Sequence, residues 1–144
     1  MINRKELLES YSKKFMIHMR MWESEWNRNN TSDLSYAQFL VLYTLNLEGP
    51  QQSKQLVNDL SITSGGITAI SDKLLAQGLI RRSRDGQRDR RAIMLEISDE
   101  GRMRLESLEE GRDRTFDAIF GVLTDAEIAF LEQVYGKLIS IRKE

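Results

Sequence analysis

Residues 64–97 read SGGITAISDKLLAQGLIRRSRDGQRDRRAIMLEI. The apolar residues Ile67, Ile70, Leu74 and Leu75 stand at i, i+3, i+7 and i+8, which gives one buried face to a helix over 64–76. Its opposite face carries Gly65, Thr68, Ala69, Asp72 and Lys73. Past Gly78 the period changes from helical to alternating, so 79–84 and 90–97 are predicted strands. Asp85-Gly86 opens the turn between them, through Gln87, Arg88 and Asp89. On the second strand Ile93, Leu95 and Ile97 share one side, and Ala92, Met94 and Glu96 the other. Arg81, Arg82, Arg84, Arg88, Arg90 and Arg91 face only Asp85 and Asp89 within residues 81–91, a local surplus of +4.

Upstream, Ser53 is placed to cap a short helix over 54–60, and Ser61-Ile62-Thr63-Ser64 forms a tight turn into the next. Two short helices joined by so few residues form a helix-turn-helix. Small side chains at the start of the second helix let its backbone approach base edges in a major groove. Arginine suits phosphate contact and a narrow minor groove. Helix-turn-helix followed by basic hairpin is a winged helix, with a reading helix and a wing.

Further out the chain is helical. Ser35-Tyr36-Ala37-Gln38 has the form of a capping box and opens a helix to about Leu47, stopped by Glu48-Gly49-Pro50. Over 2–27, Leu8, Tyr11, Phe15, Met19, Trp22 and Trp26 follow steps of three or four, one amphipathic helix roughly 40 Å long. The polar residues 28–33 end it. Ser98 caps a long helix over 99–122, and Thr124-Asp125-Ala126-Glu127 opens a last one to about Arg142, with Leu131, Val134, Leu138 and Ile141 as its stripe. The expected fold is mainly α with a small β-hairpin wing. A winged helix-turn-helix lobe at 34–98 is flanked by dimerisation helices at 1–30 and 99–144, all within one domain. Dimerisation is expected of those helices because their stripes exceed what so small a lobe can cover.

Composition narrows the function. A chain of 144 residues, 40% hydrophobic and 30% charged, suits one folded core. The absence of cysteine removes disulfides, thiolate metal sites, cysteine nucleophiles and thiol redox sensing. A single histidine, His18, is a poor basis for a metal site and is expected to be structural. There is no G-x-S-x-G elbow, phosphate loop or metal-ligand spacing, so no enzyme and no cofactor is expected. No apolar run suits a membrane span and the N-terminus has no signal-peptide core, so a cytoplasmic location is expected. The net charge of -1 argues against a non-specific nucleic-acid binder, yet the charge is segregated. Residues 53–97 carry +3 and residues 98–144 carry -4, while residues 1–52 are neutral.

From Leu34 to Gly101 the sequence resembles the MarR family of bacterial transcription regulators. The resemblance is carried by Leu34-Ser35-Tyr36-Ala37-Gln38-Phe39-Leu40-Val41-Leu42, Ile67-Thr68 and Gly78-Leu79-Ile80-Arg81-Arg82. Asp89-Arg90-Arg91 and Leu95-Glu96-Ile97-Ser98-Asp99-Glu100-Gly101 extend it. The resemblance implies a homodimer that binds an inverted repeat in double-stranded DNA and usually represses transcription. It also implies, as in many members, release by a small aromatic or phenolic anion near the junction of dimer arms and DNA-binding lobe. Thr68 would face DNA, Asp89 would orient the wing, and Arg91 with Arg90 would enter the minor groove. The candidate DNA-contacting set is Ser53, Ser64, Gly65, Gly66, Thr68, Ala69, Lys73, Arg84, Arg88, Asp89, Arg90 and Arg91. Ala69 stands where many members have arginine, and Gly65-Gly66 replaces a more usual polar pair, which shifts weight to the wing and to DNA shape.

Several residues admit a second reading. Gly65-Gly66 serve either specificity or the start of the helix. Asp72 either orients a neighbouring cation or reads a base. Met16, Met19, Met21, Trp22 and Trp26 either pack the arm or line an effector pocket, for which Met19, Trp22 and Trp26 are the candidates. The whole fold could instead serve as a protein–protein module without a DNA role. Steep loss of duplex affinity with salt separates the two functions.

Overall fold

A computed structural model describes residues 1–30, 33–84 and 93–141. The elements are α1 (Arg4–Asn29), α2 (Tyr36–Glu48), α3 (Ser53–Leu60), α4 (Ser64–Ala76), β1 (Ile80–Arg84), β2 (Ile93–Ile97), α5 (Asp99–Ser107), α6 (Glu109–Phe120) and α7 (Asp125–Ser140). They fall into two compact units, Ser32–Glu109 and the pair of segments Met1–Thr31 and Glu110–Glu144.

In the first unit, local polar chemistry starts each helix. Ser35 Oγ accepts the Gln38 N–H at 3.1 Å and Gln38 Oε1 accepts the Ser35 N–H at 2.8 Å, the reciprocal cap foreseen for α2. The start of α3 differs from expectation. Ser53 is its first helical residue, and Gln52 takes the extended cap position with its N–H donated to Gln55 Oε1 at 2.7 Å. Ser61, with φ 54°, turns the chain, and Thr63 Oγ1 then caps α4 by accepting the Gly66 N–H at 3.0 Å. Val41, Leu42, Leu45, Leu56, Ile67 and Leu74 are buried, joined by Leu79, Ile80, Leu95 and Ile97 from the hairpin. The period-two pattern therefore lays one face of the ribbon on the helices. β1 and β2 are antiparallel, with Ile80 opposite Ile97, Arg82 opposite Leu95 and Arg84 opposite Ile93. Gln51 adds a further bridge, exchanging both backbone hydrogen bonds with Leu95 at 2.8 and 3.0 Å.

The junction after α4 is tight. Gly78 turns with φ 72°, a conformation that suits glycine. Ser98 Oγ donates to the Gly78 carbonyl at 2.6 Å and accepts the Gly101 N–H at 3.0 Å, so one hydroxyl caps α5 and holds the end of α4. The Ser98 N–H donates to Leu79 O at 3.0 Å. A Cβ at Gly101 would overlap that Leu79 carbonyl oxygen and lie 2.6 Å from Ile97 Cγ1. Asp33 accepts from Gln77 Nε2 at 3.1 Å and from Arg104 Nη1 at 3.3 Å, tying the residue beyond α4 to α5.

The helix expected over 99–122 is interrupted. Leu108 donates its N–H to Leu105 O at 3.1 Å, a tightened i−3 bond, and α6 begins one residue later. In the second unit α6 lies close to α1. A Cβ at Gly111 would overlap Asn30 Oδ1, and Arg114 Nη2 donates to Asn29 O at 3.1 Å. Thr115 is fully buried and donates to Gly111 O at 2.8 Å. Thr124 and Glu127 form the reciprocal cap of α7, with N–H to oxygen distances of 2.9 and 3.2 Å. None of α7 is buried, the expected stripe residues Leu131 and Leu138 included. Among the described residues no helix is long and apolar enough to cross a membrane.

The close approach at Gly101 yields a stability prediction. Gly101→Ala should destabilise the fold by about 1–3 kcal/mol in thermal or urea unfolding, because rigid backbone rather than a side chain must yield. Unchanged stability would contradict the packing described for this junction.

Candidate nucleic-acid interface and arm cavity

The amphipathic pattern of α4 determines what it presents. Ile67, Ser71 and Leu74 turn inward, while Gly65, Thr68, Ala69, Asp72 and Lys73 are exposed. The exposed strip is therefore nearly free of bulk in its first two turns. Thr68 Oγ1 donates back to Ser64 O at 3.0 Å, which engages its proton and leaves both oxygen lone pairs able to accept. Ser64 is exposed at the first residue of α4, and Ser53 is exposed at the first residue of α3.

The two adjacent glycines differ in their surroundings. A Cβ on Gly66 would meet Ile62 Cγ2 at 2.8 Å and Thr63 Oγ1 at 3.1 Å, so a side chain there would crowd the start of the helix. A Cβ on Gly65 would meet nothing within 4 Å. Among the described residues no neighbour calls for glycine at 65, whose outer side is open.

Two of the three β1 arginines are engaged within the chain. Arg81 Nε donates to Glu96 Oε1 at 2.6 Å, directly across the ladder. Arg82 Nη2 lies 3.8 Å from Asp72 Oδ1 on α4, so Asp72 faces a cation, the orienting alternative foreseen for it. Arg84 and Lys73 are exposed and form no ion pair among the described residues. Arg88 and Asp89 of the expected turn, and Arg90 and Arg91 of the expected second strand, lie outside the described residues. The Arg81–Glu96 pair was not read from the sequence, and the hairpin register is the signal that would have exposed it.

Within the unit of α1, α6 and α7 lies a cavity of about 650 Å³. Its aromatic wall is built by His18, Trp22 and Phe120, with Trp22 and Phe120 in an edge-on arrangement 5.6 Å apart. His18 is half-buried, and its Nε2 accepts the Trp22 indole N–H at 3.2 Å. Tyr11 and Tyr135 pair their hydroxyls at 3.0 Å on another side. That hydrogen bond, then burial, pushes the Tyr135 phenol up to about 12, so it stays protonated. Of the three pocket candidates, Met19 and Trp22 line this cavity. Trp26 does not: it is only 1% exposed and belongs to the packing of its unit.

Comparison with known proteins agrees with these features. The model of the MarR family matches residues 34–93. YpoP, an uncharacterized HTH-type transcriptional regulator of Bacillus subtilis (strain 168), is 31% identical over 115 residues, covering 80% of this chain and 81% of YpoP. A mutant MarR from E. coli complexed with operator DNA superposes with a TM-score of 0.80 at 19% identity, covering 96% of this chain and 99% of that one. BpsR of Bordetella bronchiseptica, whose DNA binding is regulated by 6-hydroxynicotinic acid, gives 0.79 at 22% identity over 88% and 91% of the two chains. With its helix-turn-helix and arginine-bearing hairpin, the family model over residues 34–93 and a relative 31% identical over 80% of its length, this chain belongs to the MarR family of DNA-binding transcriptional regulators.

Proposed function

We propose that the chain acts as a homodimeric repressor without catalytic activity in the cytoplasm. It reads an inverted repeat with α4 and the hairpin, and a small aromatic ligand releases it. The observation that carries the reading is the exposed strip Gly65, Thr68 and Ala69, small residues beside an arginine-bearing hairpin. Ser53, Ser64, Lys73 and Arg84 flank it as backbone contacts, and Arg88, Asp89, Arg90 and Arg91 form the wing contact. Gly66 serves the start of the helix.

Dimerisation is supported by the apolar surface left on α1 and α7. Leu7, Leu8, Met16, Ile17 and Met19 on α1 and Phe130 and Ile139 on α7 are each more than half exposed in the single chain. Exposure on this scale marks an interaction surface. The ligand reading rests on the arm cavity, whose 650 Å³ falls in the range of small-molecule sites. Met19 and Trp22 line it from α1, together with Tyr11, Lys14, Phe15 and His18. BpsR, regulated by 6-hydroxynicotinic acid, lends the ligand its chemistry.

Selection of duplexes from a random pool should return two half-sites about one DNA turn apart. Affinity should then fall steeply between low and moderate salt, and an Arg90→Ala/Arg91→Ala variant should bind more weakly. Recovery of no sequence, with no salt-dependent binding, would favour a protein–protein role.

The glycines make a sharper prediction. Gly65→Ala should keep or raise stability, by about 0.5–1 kcal/mol, yet weaken binding to the selected duplex on the order of tenfold. Gly66→Ala should instead cost about 1 kcal/mol of stability through the Ile62 contact. Full affinity in Gly65→Ala would remove α4's first turn from the interface.

A further inference from the structure

The face of the hairpin that bears Ile80, Arg82 and Arg84 is set by register, since these residues oppose Ile97, Leu95 and Ile93. Ile80, Leu95 and Ile97 are buried, so Arg82 leaves the ribbon on its core-facing side, toward the C-terminal half of α4. Its guanidinium reaches Asp72 at 3.8 Å, and both side chains remain more than half exposed. Asp72 continues the stripe of Gly65, Thr68 and Ala69 by one more turn. A carboxylate there is anomalous on a surface meant for a polyanion. It repels phosphates unless a cation accompanies it.

We propose that Asp72 is a positioning residue for DNA recognition. It holds Arg82 between the reading helix and the wing, so that this guanidinium meets one backbone phosphate in one register. The proposal rests on α4 being the reading helix. With Asp72 in place, the phosphate contact of Arg82 is available only where the duplex seats α4 correctly. On a non-cognate duplex the carboxylate both restrains the arginine and opposes nearby phosphates. Asp72 thus contributes to discrimination rather than to affinity, and Arg82 contributes to affinity through Asp72. Arg81, tied across the ladder to Glu96, takes no part.

The test measures affinity and its salt dependence for the intact protein, on a duplex recovered by selection and on a scrambled duplex of equal length. Asp72→Asn should tighten binding to the scrambled duplex roughly threefold and steepen its log affinity against log salt by about one unit, as freed Arg82 finds phosphates. The ratio of selected to scrambled affinity should fall. Arg82→Gln should weaken binding to the selected duplex and lower its salt slope by about one unit. In the Arg82→Gln background, Asp72→Asn should no longer steepen the slope. Unfolding of each variant at the wild-type midpoint keeps the comparison on binding. An equal effect of Asp72→Asn with and without Arg82 would mean simple charge removal and overturn the proposal, as would an unchanged ratio. Selection of no duplex by the wild-type protein would instead overturn the reading of α4 on which it rests.

Discussion

The Ser98 hydroxyl lies where α4, the hairpin and α5 converge. It donates to Gly78 at the end of α4 and accepts from Gly101 at the start of α5, while its own N–H bonds Leu79 just before β1. Gly101 permits the approach, because any side chain there would overlap the Leu79 carbonyl. The exit of α4, the base of the hairpin and the first turn of α5 are thereby fixed against one another within a few residues. The exposed strip of α4 and the arginines of β1 depend on that fixture for their relative placement. A loosened junction would leave every candidate contact intact in chemistry and wrong in position.

Electrostatics supplies the second constraint. The basic surplus of residues 53–97 is partly consumed within the lobe, since Glu96 takes Arg81 and Asp72 takes Arg82. Exposed pairs of this kind add little to stability. Their consequence lies in direction: they hold the Arg81 and Arg82 guanidinium groups, while Arg84 forms no ion pair among the described residues. Net charge alone, at -1, conceals this arrangement.

Much of the lobe was legible in the sequence because it is built from local signals. The Ser35 box, the apolar spacing of 67–74 and the change of period after Gly78 each act within a few residues; α2, α4 and β1 lie where these signals placed them, and of the second strand expected over 90–97 residues 93–97 are described. Tertiary geometry was less accessible. Gln52 rather than Ser53 precedes α3, since the Gln55 side chain satisfies the cap position's N–H. The break at Leu108 occurs with neither glycine nor proline, through a shortened backbone bond that no composition announces. Gly65 and Gly66 are adjacent and alike in sequence, and only the neighbours of a hypothetical Cβ separate them. Trp26 followed the same helical stripe as Trp22, yet one is buried and the other helps to wall a cavity.

The central claim is that the strip around Thr68 lies in a DNA groove. The chain has no cysteine, so Thr68→Cys provides a single tether for an iron chelate that cleaves nearby DNA strands. With the selected duplex bound, strand cuts should cluster inside each half-site and repeat about one helical turn apart. Tight binding with no cleavage in the half-sites, or cleavage spread evenly along the duplex, would contradict the claim.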